Sequence, residues 1–452
     1  MRGRQSFNLK IRGDKDLYGR SQFRLRPDPY DATTLRSKLA CDIHNRLGLV
    51  SISATYISLY INDEYLGLYV LMDAPKVSWA KLVFNDENTT NMYKCKDSGN
   101  DLSVLKSATG CINENDEITE NPEWIEFLTT LDNAQSAEDI EDIFDVDQFL
   151  YEMAYEYLSG SWDRYLLNGH NYNMYKIKDG KWTMISYDYD LDLGQNTSAI
   201  TIYPHSTTSS DYPSYSFDEW LTPALNQHLI DILILKDRTR FNAILEKFVV
   251  EAFNPTILFP RIDELKELIR PEKIKEKTPD ENGINPGIIN KINTFDFTME
   301  HWEANSEFTT VSDDQFNTGY GLKYWILMKY RYVCKAYNFD CDPTYMDENY
   351  QYSINKNVEG FFISFATNND PSNTDNVTEI PTSTIDSQST VSIINATATN
   401  INYDDDDDVE VEVEAEAEVT DFVDESESDN DSGCESDNDS GSESDNDSGY
   451  DC

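Results

Sequence analysis

Ser161-Trp-Asp-Arg-Tyr-Leu-Leu-Asn-Gly-His-Asn-Tyr-Asn-Met-Tyr-Lys-Ile-Lys178, the dipeptide Asp179-Gly180 and the return Lys181-Trp-Thr-Met-Ile-Ser-Tyr-Asp-Tyr-Asp190 decide how this chain is read. Asp-Gly between alternating apolar residues is the strongest short hairpin signal, because both residues tolerate φ > 0. With Asp179 and Gly180 as the central turn residues, Asn171 falls opposite Asp188 and Asn173 opposite Ser186. Residues 171, 173, 186, 188 and 190 then share a polar face, and Tyr172, Met174, Ile185, Tyr187 and Tyr189 form the buried one. Opposed residues have Cα atoms about 5 Å apart. Asn171 and Asp188 are thus placed to share one hard cation with Asp190 beside them, and Asp163, on the preceding loop, can aim at the same point. An Asn with carboxylates, leaving room for water and phosphate oxygens, has the ligand chemistry of magnesium. With only His170 nearby, zinc and iron are disfavoured. The plainer alternative is a solvated hairpin face.

Upstream, the strand Phe7–Gly13 pairs with Tyr18–Arg26, and alternation sets Arg24 and Arg26 on the face opposite Phe23 and Leu25. Those arginines read as a solvated strand face or as phosphate binders. A helix follows, capped near Asp31 or Thr33, running over Leu35–Arg46 and stopped by Gly48. A second hairpin, Thr55–Ile61 and Tyr65–Met72, turns at Asn62-Asp63, with Asp73 and Lys76 just beyond. A helix over Asp147–Leu158 leads into the deciding segment. Basic hairpin, helix, hairpin, loop Asp, Asn, short hairpin and Asp near a Gly is the order of parts in phosphotransferases of the protein-kinase kind. Asp163 and Asn168 match the spacing D-x-x-x-x-N, and Asp192-Leu-Gly194 is similar to D-F-G. The hairpin register favours Asn171 over Asn168 and Asp188 over Asp192.

The chain has 452 residues, with 84 Asp plus Glu against 36 Lys plus Arg, a formal charge of -48. Residues 404–452 hold 23 acidic residues and no Lys or Arg, nearly half of that net charge. A chain this acidic is not a general nucleic-acid binder. No apolar run is long enough for a transmembrane helix, and no signal peptide is visible. Residues 1–343 read as the globular part, 344–403 as a linker and 404–452 as a disordered acidic tail. Within these, Val358–Ala366 could add a strand. The alternation Val409–Glu414 looks like a strand, but adjacent like charges favour disorder. The tail ends in three copies of an eight-residue Ser-Asp-Asn-Asp-Ser-Gly repeat from Ser428. It reads as a self-repelling polyelectrolyte, a weak calcium binder or a phosphate-acceptor segment with Ser432, Ser440 and Ser448. Cys95 with Cys111, and Cys334 with Cys341, are candidate disulfides, and Cys41 a buried thiol. With the sequons at Asn88, Asn196, Asn376, Asn395, Asn430, Asn438 and Asn446 they lean toward a secretory route.

The run Ser161-Trp-Asp-Arg…Gly-His-Asn-Tyr-Asn-Met-Tyr175 with Ser186-Tyr-Asp-Tyr-Asp-Leu-Asp-Leu-Gly194 resembles the spore coat protein H (CotH) kinase family. So do Gln22–Ala40, Tyr60–Tyr69 and Gly321–Arg331; the likeness covers about residues 5–343 and is closest in style to fungal-type members. The resemblance implies an α+β, atypical protein-kinase-like two-lobed domain, with a hairpin-rich N-terminal part and a helical C-terminal part. It implies ATP- and Mg2+-dependent transfer of phosphate to Ser or Thr of secreted, spore-coat or cell-surface proteins. Asp163 would be the catalytic-loop acid; Asn171, Asp188 and Asp190 would hold the metal; Arg24, Arg26 and Asp73 would serve the nucleotide. This chain departs from the family in Tyr187, where Trp is usual, and in starting close to the first hairpin, as expected of a truncated N-terminal edge. The protein partner would carry a Ser-rich acceptor segment. A surface adhesin or invasin with a vestigial site, and a cation-binding acidic coat component, are the other classes.

Overall fold

The computed structural model describes residues 3–13, 15–202, 209–221, 227–290, 295–313 and 317–361, and the backbone of 392–396, 398–403 and 408–414. Two antiparallel hairpins begin the α+β fold. Strands β1 (Ser6–Arg12) and β2 (Gln22–Arg26) precede helix α1 (Arg36–Arg46), and β3 (Ala54–Ile61) and β4 (Glu64–Asp73) follow it. Asp31 starts α1 by accepting from the amides of Leu35 and Arg36, both at 3.1 Å. Asn62 and Asp63, at φ 51° and 64°, make the tight turn between β3 and β4. On one face of this sheet Phe7, Leu9, Ile11, Phe23, Leu25, Tyr69 and Leu71 form a small core. The other face gives Tyr56, Leu68, Val70 and Met72 to the main core, with Leu39 and Ile43 of α1. Each fully buried side chain of this kind contributes roughly 1.5–3 kcal/mol. The alternation therefore puts Arg24 and Arg26 on the main-core side, as read from the sequence.

Helix α2 (Val77–Phe84), β5 (Met92–Cys95), α3 (Val104–Gly110), β6 (Cys111–Asn113), α4 (Pro122–Asn133) and α5 (Val146–Ser159) lead to β7 (Tyr172–Lys176) and β8 (Trp182–Ser186). The second sheet has the order β6-β5-β7-β8. Cys95 and Cys111 are bonded across β5 and β6, Cys334 and Cys341 are also bonded, and Cys41 is a buried free thiol. The remainder is mainly helical: α6 (Phe217–Leu221), α7 (His228–Ile230), α8 (Thr239–Glu251), α9 (Pro255–Glu276), α10 (Met299–Ser306), the short pair β9 (Val311–Ser312) and β10 (Thr318–Gly319), α11 (Leu322–Tyr337) and α12 (Pro343–Met346). Trp325 of α11 is fully buried where α5 ends. A Cβ at Gly160 (φ 68°) would stand 2.3 Å from its ring, and one at Gly194 (φ 84°) 2.7 Å, so both chain ends close on the indole only as glycine.

Three expectations change. The β7–β8 hairpin closes with Ile177 facing Lys181 around a three-residue loop, Asp179 taking φ 56°. The register is thus one residue off the two-residue turn: Tyr172 pairs with Ser186 and Asn173 with Ile185. A shift of one residue reassigns every face, so the polar face over 171, 173, 186, 188 and 190 does not form. Asn173 and Ser186 are buried, bonded to Pro75 O at 3.0 Å and to Glu152 Oε2 at 2.6 Å. Second, the charged run expected to be disordered is a strand, β13 (Asp408–Glu414), and β11 (Ser392–Ala396) and β12 (Ala398–Tyr403) precede it inside the expected linker. The first sheet then has the order β11-β3-β4-β2-β1-β13-β12. Parallel pairing sets Val409, Val411 and Val413 beside Phe7, Leu9 and Ile11, and Glu410, Glu412 and Glu414 beside Asn8, Lys10 and Arg12. β13 is paired on both sides, parallel to β1 and antiparallel to β12. Third, residues 358–361 form no strand, although Gly360 N donates to Thr310 O at 2.8 Å. Residues 362–391 and 415–452, with the repeats, lie outside the described residues.

Candidate functional site

Backbone that leaves regular pairing carries most of the site. Beyond the last ladder pair, Tyr187 N donates to Asn171 O at 3.2 Å, so Asn171 faces Tyr187 and Asp188 lies one residue further on, not directly opposite. Asn171 (φ 59°) and Asp188 (φ 66°) are both left-handed, a conformation that costs energy and clusters at functional sites. Asp163 sits on the loop after α5. Its Oδ1 accepts from Asn168 Nδ2 at 2.9 Å and lies 2.7 Å from His170 Nε2. Asn171 Nδ2 donates to its backbone oxygen at 2.9 Å and to Oδ2 at 3.4 Å. Burial opposes charge on His170, but the hydrogen bond and charge of Asp163 outweigh it and raise the imidazole's pKa. That loop is held from beneath by buried Glu156, which accepts from the amides of Tyr165 and Leu166 at 3.2 and 2.8 Å.

The second half of the site is a guanidinium among carboxylates. Arg26 donates to Asp188 Oδ1 at 2.8 Å and to Asp190 Oδ2 at 3.2 Å, and its Nε stands 3.8 Å from Asp28 Oδ1. Partial burial would raise Asp188, but Arg26 and Arg24 hold it down at about 2. Asp190 is displaced well upward by burial, against the pull of Arg26, with Asp188 and Asp28 adding to the rise. Burial takes Asp28 up to about 7. Arg26 and a hydrogen bond from Ser37 oppose that rise. Arg26 thus sits among three carboxylates, with the charge of Arg24 also acting on Asp188.

Among the described residues no three His, Cys, Asp or Glu side chains form a metal cage. Magnesium bound to phosphates needs only one or two protein carboxylates, the rest of its shell being phosphate oxygen and water. If an ion of this kind is bound, Asp188, Asp190 and the Asn171 amide oxygen would be its hard-oxygen donors. The structure brings Asp163 and Asn171 together, and Asp188, Asp190 and Arg26 together; the charge of Asp188 reaches His170 and links the two groups. Arg24 lies over the Tyr187 ring, 5.4 Å from its centroid. Asp73 is engaged elsewhere: it pairs with Arg20 and accepts from Ser53 N at 2.9 Å. Asp192, the D-F-G-like alternative, is buried against Tyr155 Oη at 2.7 Å and Arg164 at 3.2 Å.

Sequence reasoning missed Asp28 and Arg164, and named His170 without giving it a role. Arg164 is buried, donates to Asp188 O at 2.9 Å and lies 4.1 Å from the Tyr189 ring centroid, so it ties the Asp188 turn to Asp192. Its position next to Asp163 was the available signal. For Asp28 it was the setting Arg26-Pro-Asp-Pro29.

Fold and site define an α+β protein with a hydrogen-bonded loop aspartate and a group of carboxylates gathered on one arginine. The chain belongs to the CotH kinase protein family, which matches residues 2–307. It is 26% identical over 364 residues to Invasin CotH3 of Rhizopus delemar, covering 74% of this chain and 57% of that protein. Spore coat protein homolog 1 of the same organism is 25% identical over 357 residues, 74% of this chain and 54% of that one. Inner spore coat protein H of Bacillus subtilis is 21% identical over 282 residues, 59% of this chain and 73% of that one. The chain thus spans a little over half the length of these two Rhizopus relatives. The crystal structure of the Helicobacter pylori proinflammatory kinase CtkA, 13% identical, covers 50% of this chain and 78% of its own at a TM-score of 0.23, too loose a likeness to assign a shared fold.

Proposed function

We propose that this protein is an ATP- and magnesium-dependent phosphotransferase with a two-lobed, atypical protein-kinase-like domain, acting on Ser or Thr of secreted, spore-coat or cell-surface proteins. The observation that carries it is the pairing of a donor-clamped Asp163 with the Arg26–Asp188–Asp190 cluster in a member of the CotH kinase family. Asp163, its carboxylate oriented by Asn168, His170 and Asn171, aligns the acceptor hydroxyl and takes its proton. The hydroxyl oxygen bonds to the γ-phosphorus as the bond from that phosphorus to the bridging oxygen breaks, and ADP leaves with that electron pair. Asp188, Asn171 and Asp190 would hold magnesium, which would supply charge neutralisation on the phosphates. Arg24 and Arg26 steady phosphate oxygens, and catalysis is mainly positioning.

The two disulfides fit an oxidising compartment. Asn88 is exposed for glycosylation, whereas the Asn196 amide is used on Asn317 and Thr318. No helix among the described residues is long and apolar enough to cross a membrane. A second reading, a surface-binding protein with an unused nucleotide site, is favoured by the invasin name of its relatives. Incubating the full chain with radiolabelled ATP, magnesium and a Ser-rich acceptor separates the two. Transfer that is lost in Asp163→Asn supports the kinase; no transfer together with no ATP binding supports the binding protein.

A further inference from the structure

A strip of lysines borders the Asp163 loop, in a chain whose formal charge is -48. Lys94 of β5 holds its ammonium 5.6 Å from the Tyr187 ring centroid, and among the described residues no carboxylate lies within ion-pair distance of it. Lys96, two residues on, is exposed, and its backbone oxygen lies 3.1 Å from Nδ1 of His170, the imidazole that holds Asp163. Lys76 stands 3.6 Å from Glu114. Burial, with the charges of Arg24, Lys76 and Lys96, pushes Lys94 down to about 8, and Glu114 opposes this. The start of the acidic tail lies on the same side of the molecule. Glu414, the last residue of β13, is beside Arg12 at the end of β1. From there the contacts run through Lys10, paired with Gln22, and through Gln22, bonded to Ser78 at 3.2 Å, two residues past Lys76. Thirteen residues, 415–427, separate Glu414 from the first repeat at Ser428. Fully extended they span about 45 Å, roughly twice the length of β1, and later repeats reach further.

We propose that the Ser-Asp-Asn-Asp-Ser-Gly repeats of residues 428–451 dock in cis on Lys76, Lys94 and Lys96 and present Ser432, Ser440 and Ser448 to Asp163 as phosphate acceptors. Residues 404–452 carry 23 acidic residues and no Lys or Arg, the charge complement of the strip. Each of the three serines follows Asp and precedes Gly, whose missing side chain lets the backbone come close to a walled site. Each transfer joins the serine oxygen to the γ-phosphorus of ATP, breaks the bond from that phosphorus to the bridging oxygen and releases ADP with the electron pair. The hydroxyl proton goes to Asp163. The docking stands on charge and reach; the acceptor role rests on the phosphotransferase reading.

Carbodiimide joins touching carboxylates and lysines without a spacer, so it reads the docking in the full chain with no ATP present. Mass spectrometry should find residues 428–451 joined to Lys76, Lys94 or Lys96 in clear excess over the exposed Lys236 and Lys335, and about 0.5 M salt should remove that excess. With ATP and magnesium, phosphate should appear on Ser432, Ser440 and Ser448 at a rate per molecule that does not change with protein concentration. Lys94→Gln combined with Lys96→Gln should slow that rate on the order of 5-fold, the worth of two solvent-accessible ion pairs. Transfer by the same variant to an uncharged Ser-rich peptide should stay as in the wild type. Circular dichroism checks folding; if the double variant does not fold, Lys76→Gln and the salt titration decide. Cross-links spread evenly over the exposed lysines overturn the docking. Transfer to the peptide but not to the tail overturns the acceptor role and keeps the kinase reading. A rate that rises with protein concentration overturns docking in cis and makes a second copy the partner. Cross-links to the strip in a protein that transfers no phosphate to any acceptor keep the docking and overturn the acceptor role together with the kinase reading.

Discussion

Arg26 grips Asp188 with both terminal nitrogens, at 2.8 and 3.3 Å, and shares one of them with Asp190 at 3.2 Å. The first hairpin and the end of the second sheet are thereby joined by ionic contacts at the proposed metal position. Asp188→Asn should abolish phosphoryl transfer by a factor of about 100 or more. Its melting temperature should fall as well, because Arg26 and Arg24 hold the Asp188 pKa down, so that its charge favours the folded form. Radiolabel transfer and a melting curve measured on the same sample check both; retained transfer removes Asp188 from the site.

For Asp192 the expected loss is one of stability. Its carboxylate is 1% exposed and compensates a buried Arg164. Asp192→Asn leaves that guanidinium without its charge partner, at a cost of about 3 kcal/mol. Urea unfolding should show a loss of that order, and a loss under about 1 kcal/mol would mean that the pair is not structural.

Glu156 gives a pH dependence. Burial raises its folded pKa to about 8, against the Leu166 amide and Arg164, which lower it. The folded form thus keeps a proton that the unfolded chain releases near pH 4.5. Its contribution to stability is complete below that pH and is lost as pH rises through about 8, at up to about 1.4 kcal/mol per pH unit. Glu156→Gln should flatten the stability profile between pH 5 and 8 relative to wild type. Parallel profiles would contradict the assignment.

Cys95 and Cys111 close a loop with a sequence separation of 16. Replacing both with Ser should cost about 3 kcal/mol by the loop-entropy relation. Unchanged unfolding midpoints under reducing and oxidising conditions would show that the bond does not form.

The β1–β13 pairing is testable by charge. Glu412 lies beside Lys10 and Glu414 beside Arg12. The double change Lys10→Glu and Arg12→Glu should strip backbone amides 408–414 of hydrogen-exchange protection, and high salt should do so in part. Protection that survives both would mean that charge does not hold the strand to β1.

Local order was legible because it rests on local rules. Alternation through Phe23–Arg26 determined which face Arg24 and Arg26 take, the Asn62-Asp63 turn marked the second hairpin, and capping near Asp31 marked α1. Residue order from the first hairpin to Asp190 was enough for the family. The hairpin register was not legible, since Asp179-Gly180 serves a three-residue loop as readily as a two-residue turn, and one residue decides every face. The Val409–Glu414 alternation could not be resolved either, because one of its two partner strands lies about 400 positions earlier in the chain.

The sequence by itself thus determined the hairpins, the helices that follow them and a short stretch rich in Asp and Asn. Only the tertiary structure decided which of those groups meet. It turned Asp192 into a buried partner of Arg164, drew Asp73 to Arg20, and set Lys94 against Arg24 across Tyr187. Charge pairing falls steeply with distance and strengthens with burial, and both are properties of the packed chain and not of residue spacing.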